Sequence, residues 1–125
     1  MTRILIVDDE KGITDVLKDF LELEGLETAV RHDVESAREA LENGSFDAAM
    51  VDVFLSDGPV GLDLARYIFA YHPDTRVILM TGYADRAEVG ATCLAGAYTC
   101  LDKPFDLDDV LRVLGTALDE RSSAA

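Results

Sequence analysis

Five polar side chains in this sequence stand where apolar runs stop. Asp8 and Asp9 follow Ile4 to Val7, and Asp52 closes the run that begins at Ala48. Thr81 follows Val77 to Met80, and Lys103 follows the stretch Ala97 to Leu101. Taken singly, each has an ordinary reading: Asp8 as a helix cap, Thr81 as a turn cap, Lys103 as a solvated surface charge. Taken together they are three carboxylates, a hydroxyl and an ammonium. Carboxylates brought close repel one another by about 4 kcal/mol per pair at an effective dielectric near 20. A hard divalent cation removes that cost, and all-oxygen ligands suit Mg²⁺, which keeps waters and binds phosphate oxygens. A carboxylate can also act as a nucleophile and accept a phosphoryl group as an acyl phosphate. A hydroxyl, an ammonium and a cation can then share the charge that develops on the phosphoryl oxygens.

Such a site exists only if the chain brings these residues together, so the elements between them decide the matter. Ile4 to Val7, Ala48 to Val53, which ends around Asp52, and Val77 to Met80 are apolar runs without alternation, the pattern of strands covered on both faces. Glu27 to Arg31 is more polar and reads as an outer strand, and Ala97 to Leu101 as a fifth. Between them, Ile13, Val16, Leu17, Phe20 and Leu21 recur at helical spacing until Gly25. Val34, Ala37, Ala40 and Leu41 form a short helix closed by Asn43-Gly44. Leu62, Ala65, Ile68 and Phe69 mark a helix that stops before Pro73. A weaker helix spans Arg86 to Ala95, with Gly90, Ala91 and Leu94 inside. Leu107, Val110, Leu111, Leu114 and Leu118 make the last. Strand and helix thus alternate five times. Right-handed crossovers place helices on both faces of a parallel sheet. The expected fold is α/β, a doubly wound five-stranded parallel sheet of order 2-1-3-4-5, (βα)5 and flavodoxin-like. In such sheets ligands bind outside the carboxyl ends of the strands, where all five polar residues fall.

The remaining features bound the function. The 125 residues, 49% hydrophobic, suit one domain with a real core. The domain is expected over 1–121, with 122–125 as a tail or the start of a linker. A formal net charge of -14 is repelled by phosphate backbones and anionic lipid, so no direct nucleic acid or membrane partner is expected. Cys93 and Cys100 make no disulfide framework and no metal cluster, and read as small buried hydrophobes. No segment approaches the ~18 apolar residues needed to span a membrane, and no signal peptide pattern precedes the first strand. A cytoplasmic location is expected.

With these residues in place, the chain resembles the receiver domain of two-component response regulators over essentially its whole length. "ILIVDDE" resembles the first strand and acidic pair, "MVDV" the acceptor strand, "LMTGYAD" the switch-hydroxyl strand, and "LDKPF" the lysine-proline signature. The resemblance implies that Asp52 is phosphorylated by a histidine kinase or a histidine phosphotransfer protein. It implies that Mg²⁺ is held by Asp9 and Asp52, by Asp8 largely through water, and by the backbone carbonyl of Phe54. Thr81 would sense a phosphoryl oxygen, Lys103 would pair with another, and the Lys103-Pro104 bond would be cis. The domain would be a stoichiometric acceptor, assisting its own phosphorylation and dephosphorylation, rather than an enzyme. Its output would be a changed surface of the helix at Arg86 to Ala95, the fifth strand and the last helix. That surface would control a downstream protein target or a C-terminal output domain; where the domain dimerises, it would form the homodimer.

Two places depart from the family pattern. Receivers commonly carry a proline four residues past the acceptor and a glycine eight past it; those places hold Ser56 and Val60, and Pro59 and Gly61 look like the same elements displaced, with about one residue inserted. The aromatic residue usual three positions before the lysine is replaced by Cys100, so the usual aromatic rotation is expected to be absent or taken over by Tyr98 or Tyr83. Two related chemistries fit less well. Haloacid-dehalogenase-type phosphatases need a second aspartate two residues after the nucleophile as general acid, where this chain has Phe54. A flavin-binding domain needs a phosphate-cradling loop after the first strand, where "VDDEKG" offers carboxylates. A third reading, an unphosphorylated binding module of the same fold, would leave the acceptor, the acid pair, Thr81 and Lys103 without a purpose.

Overall fold

In a computed structural model, which describes residues 2–56, 58–82 and 99–124 and side chains through 119, five strands form one parallel sheet. They are β1 (Arg3–Val7), β2 (Glu27–Arg31), β3 (Ala48–Asp52), β4 (Arg76–Thr81) and β5 (Thr99–Asp102), in the order β2-β1-β3-β4-β5. The helices described are α1 (Lys11–Leu23), α2 (Val34–Asn43), α3 (Val60–Tyr71) and the C-terminal α4 (Leu107–Ala124).

The unbroken apolar runs become central strands because both sheet faces are covered. Side chains alternate between faces along a strand. Ile4 and Ile6 join Met50, Ile78 and Met80 in a core completed by Leu17 and Leu21 of α1 and Val110 and Leu114 of α4. Leu5 and Val7 join Ala49, Val51 and Leu79 in the opposite core, under Ala37 and Leu41 of α2 and Leu62, Ala65 and Ile68 of α3. All four residues from Ile4 to Val7 are inaccessible to solvent. β2, the polar strand, lies at one edge and is only partly buried.

Local signals set the ends of the helices. Gly25, with φ of 86°, takes the left-handed conformation that stops α1, and its N–H donates to the Glu22 carbonyl at 3.1 Å. The Asp33 carboxylate caps α2 by accepting from the Ser36 N–H at 2.7 Å, a bond that holds its pKa below the ordinary value. α4 continues through Ala124, past the boundary expected after residue 121, so the expected tail is helical as far as that residue.

Register aligns the carboxyl ends. Val7 pairs with Val51, Asp52 with Met80, and Thr81 with Asp102. The residues that follow β1, β4 and β5 therefore emerge around Asp52. Among the described residues, no helix is long and apolar enough to cross a membrane. The expected helix at Arg86 to Ala95, with Tyr83, Cys93 and Tyr98, lies outside the described residues. Cys100 packs partly buried against the α2–α3 core, but it is disulfide-bonded and not the unpaired small hydrophobe its sequence context suggests.

Candidate functional site

The site grows from the first turn after β1. Asp8 is completely buried, and each of its carboxylate oxygens accepts a hydrogen bond. Oδ1 accepts from the Glu10 N–H at 2.9 Å, and Oδ2 accepts from Lys103 Nζ at 2.8 Å. Its backbone is fixed as well: the Asp8 N–H donates to the Arg31 carbonyl at 3.2 Å, and His32 Nδ1 lies 2.8 Å from the Asp8 carbonyl. Asp9, next in sequence, is exposed, and its Oδ2 accepts from the Ser56 hydroxyl at 2.9 Å.

Asp52 closes β3 and is only 4% exposed. Oδ1 accepts from the Phe54 N–H at 3.2 Å, and Oδ2 accepts from Lys103 Nζ at 3.0 Å. The Phe54 side chain is 37% exposed, so it does not serve to fill the core. Gly61, at the start of α3, presses on the same turn. Its N–H donates to the Val53 carbonyl at 3.1 Å, and an added Cβ would overlap the Asp52 carbonyl oxygen and come within 2.9 Å of Val53 Cα. This close approach explains a glycine at that point.

Lys103 reaches the cluster from β5. Its N–H donates to the Thr81 carbonyl at 2.7 Å, tying it to the end of β4, and the Lys103-Pro104 bond is cis, as the resemblance implies. Its ammonium bridges Asp8 and Asp52, with Glu10 Oε1 at 3.8 Å. Thr81 is 5% exposed and closes β4, the strand beside Asp52.

The electrostatics follow from this crowding. Burial pushes the Asp52 carboxyl up to about 6; the Lys103 hydrogen bond opposes the rise, and the Asp8 charge adds to it. Burial alone would lower the Lys103 ammonium, but the hydrogen bonds it donates to Asp8 and Asp52 outweigh this and raise its pKa. Asp8, Asp9 and Asp52 each offer a carboxylate oxygen, all within 4.8 Å of one another. A donor set of oxygens only, few in number and in carboxylate excess, fits a hard cation that keeps waters.

The structure therefore gathers Asp8, Asp9, Asp52, Thr81 and Lys103 at one rim, with Phe54 contributing its backbone beside Asp52. Sequence reasoning passed over Ser56, Glu10 and His32. His32 was within reach, because it follows β2, the strand next to β1 in the expected order. Ser56 carries no such signal, since its reach to Asp9 depends on the conformation of a loop.

Comparison with known proteins places the chain in a family. Residues 4–114 match the response regulator receiver domain family. The chain is 38% identical over 123 residues to the response regulator protein PilR of Pseudomonas aeruginosa, covering 98% of this chain and 27% of that protein. It is 34% identical over 106 residues to the transcriptional regulatory protein CpxR of Escherichia coli, covering 85% of this chain and 44% of that protein. The chain thus spans about a quarter to a half of these relatives. Among solved structures, a CheY-like receiver domain protein from Methanospirillum hungatei superposes with a TM-score of 0.95 at 32% identity, covering 100% of this chain and 99% of that one. The response regulator TrrA of Thermotoga maritima, in complex with Mg²⁺-BeF, gives 0.83 at 30% identity, covering 94% and 100%. The fold is that of a two-component signalling domain, and the chain belongs to the response regulator receiver domain family.

Proposed function

We propose that Asp52 accepts a phosphoryl group from a phosphohistidine of a sensor kinase or a histidine phosphotransfer protein. A carboxylate oxygen of Asp52 attacks phosphorus, the phosphorus–nitrogen bond breaks, and its electron pair leaves with the imidazole. The product is an acyl phosphate on residue 52. The observation that carries this reading is the Lys103 ammonium bridging the carboxylates of Asp8 and Asp52 at 2.8 and 3.0 Å. An ammonium held there meets the charge that a phosphoryl group would bring.

Asp8, Asp9, Asp52 and the Phe54 carbonyl are the proposed Mg²⁺ ligands, with Asp8 acting largely through water. The similarity to TrrA, solved with Mg²⁺-BeF, supports this assignment. When bound, Mg²⁺ offsets carboxylate repulsion and draws charge from the phosphoryl oxygens. Asp8 orients the ammonium through its fixed Oδ2, and Thr81 donates its hydroxyl to a phosphoryl oxygen. The domain acts stoichiometrically, as a signal carrier in the cytoplasm. Its phosphorylated state controls a downstream protein or an output domain through the surface that includes β5 and α4. The relatives, which are longer regulatory proteins, support a partner of that kind.

Intact mass after incubation with Mg²⁺ and a small phosphodonor tests the reading. One added phosphoryl group is expected in the native protein and none in Asp52→Asn. No gain in the native protein, or full labelling of the variant, would overturn it.

A further inference from the structure

We propose that Ser56 is a positioning residue for the cation site, holding Asp9 through its hydroxyl; this rests on the reading that Asp8, Asp9 and Asp52 bind Mg²⁺. The loop between β3 and α3 is a small closed structure. Leu55 and Gly58 exchange backbone hydrogen bonds, both 2.9 Å, and Gly58 takes a φ of 105° that a side chain would resist. One level below, the Gly61 N–H closes on the Val53 carbonyl at 3.1 Å. Val53 and Leu55 are buried in the core beneath, at 1% and 7% exposure. Ser56 thus leaves a doubly pinned, anchored base.

From there Ser56 Oγ donates to Asp9 Oδ2 at 2.9 Å, across 47 residues of sequence. The bond ties the loop after β3, which begins next to Asp52, to the loop after β1, which carries Asp8 and Asp9. Asp9 is the exposed member of the trio, whereas Asp8 and Asp52 are buried and share Lys103. A carboxylate on an exposed loop would otherwise sample several rotamers. The hydroxyl holds Oδ2 and leaves Oδ1 for a cation. Being neutral, it orders the ligand without competing with the cation by charge, as an ammonium does. Groups that orient a metal ligand in this way change affinity by roughly 10–100-fold when removed. Solvent exposure of both partners places Ser56 at the low end.

Mg²⁺ titration of the unphosphorylated protein, followed by calorimetry, compares Ser56→Ala, Ser56→Thr and Asp9→Asn with the native chain. Ser56→Ala should weaken Mg²⁺ binding about tenfold, with its melting temperature in EDTA unchanged. Ser56→Thr, which keeps the hydroxyl, should restore most of the affinity. Native or tighter binding by Ser56→Ala, with binding lost in Asp9→Asn, would overturn the role of Ser56 alone; tighter binding would make the hydroxyl a latch that the cation must open. Native binding by Asp9→Asn would overturn the cation site itself, and the role of Ser56 with it.

Discussion

Lys103 Nζ lies 3.0 Å from Asp52 Oδ2, so the ammonium that would meet the phosphoryl group already rests on the carboxylate that would accept it. Without a cation, Lys103 is the charge that lets Asp8 and Asp52 share a buried corner. Removing one partner of a buried ion pair is costly, about 3–5 kcal/mol, because the other charge is left uncompensated. Here protonation of Asp52 relieves part of that cost. Lys103→Met should therefore lose about 2–3 kcal/mol in EDTA, and Mg²⁺ should restore more stability to it than to the native chain. Thermal melts with and without Mg²⁺ check this. An equal loss in both conditions would mean that Lys103 and the cation do not serve the same charges.

Asp52 itself should make the metal-free fold less stable near neutral pH. Its folded pKa, about 6, lies above its ordinary 3.8. A group with a raised folded pKa stabilises the fold where it is protonated. That contribution is complete below 3.8 and is lost as the pH rises through about 6. Asp52→Asn keeps the Asp8–Lys103 pair and removes the excess charge. In EDTA at pH 7 it should be more stable than the native protein by roughly 1–2 kcal/mol, after discounting for solvent at the rim. The difference should shrink toward pH 4. A variant less stable than native at pH 7 would contradict the assigned direction.

Gly61→Ala should be among the most damaging single-methyl changes in the chain. Its Cβ meets the backbone of Asp52 and Val53, which cannot move aside as a flexible side chain can. Overpacking of this kind costs about 1–3 kcal/mol, and relief requires the acceptor turn to shift. Urea denaturation should show the loss, and phosphoryl uptake should fall with it. A native midpoint and native uptake would mean that the turn is looser than its contacts indicate.

Much of this was legible in the sequence because the signals are regular. Ile4 to Val7, Ala48 to Val51 and Val77 to Met80 are unbroken apolar runs, and only central parallel strands bury both faces so fully. Once their order is known, the residue that ends each run must lie at the carboxyl rim, which placed Asp8, Asp52 and Thr81, and the end of the fifth strand placed Lys103. What was hidden depends on backbone conformation rather than on pattern. Ser56 reaches Asp9 only because Leu55 and Gly58 close a tight loop. The bonded state of Cys100 has no signature in a pair of cysteines. The last helix runs on through Ser122 to Ala124 because neither glycine nor proline stands there to stop it.

Under the proposed function, Thr81 should separate acceptance from signalling. It closes β4, beside Asp52 and bonded through its carbonyl to the Lys103 N–H. Thr81→Ala should still take up one phosphoryl group. Amide exchange of β5 and α4, which is expected to change on phosphorylation in the native chain, should respond weakly or not at all in the variant. A full native response in Thr81→Ala would remove the hydroxyl from the path of the signal.

The central claim is that residue 52 carries the phosphoryl group, and chemical trapping of the acyl phosphate tests it most directly. The protein is phosphorylated with Mg²⁺ and a small phosphodonor, reduced with borohydride, digested, and sequenced by mass spectrometry. The account predicts homoserine in place of aspartate at residue 52, with Asp8 and Asp9 unchanged. Homoserine at Asp8 or Asp9, or phosphate recovered on a serine, threonine or histidine with residue 52 intact, would contradict it.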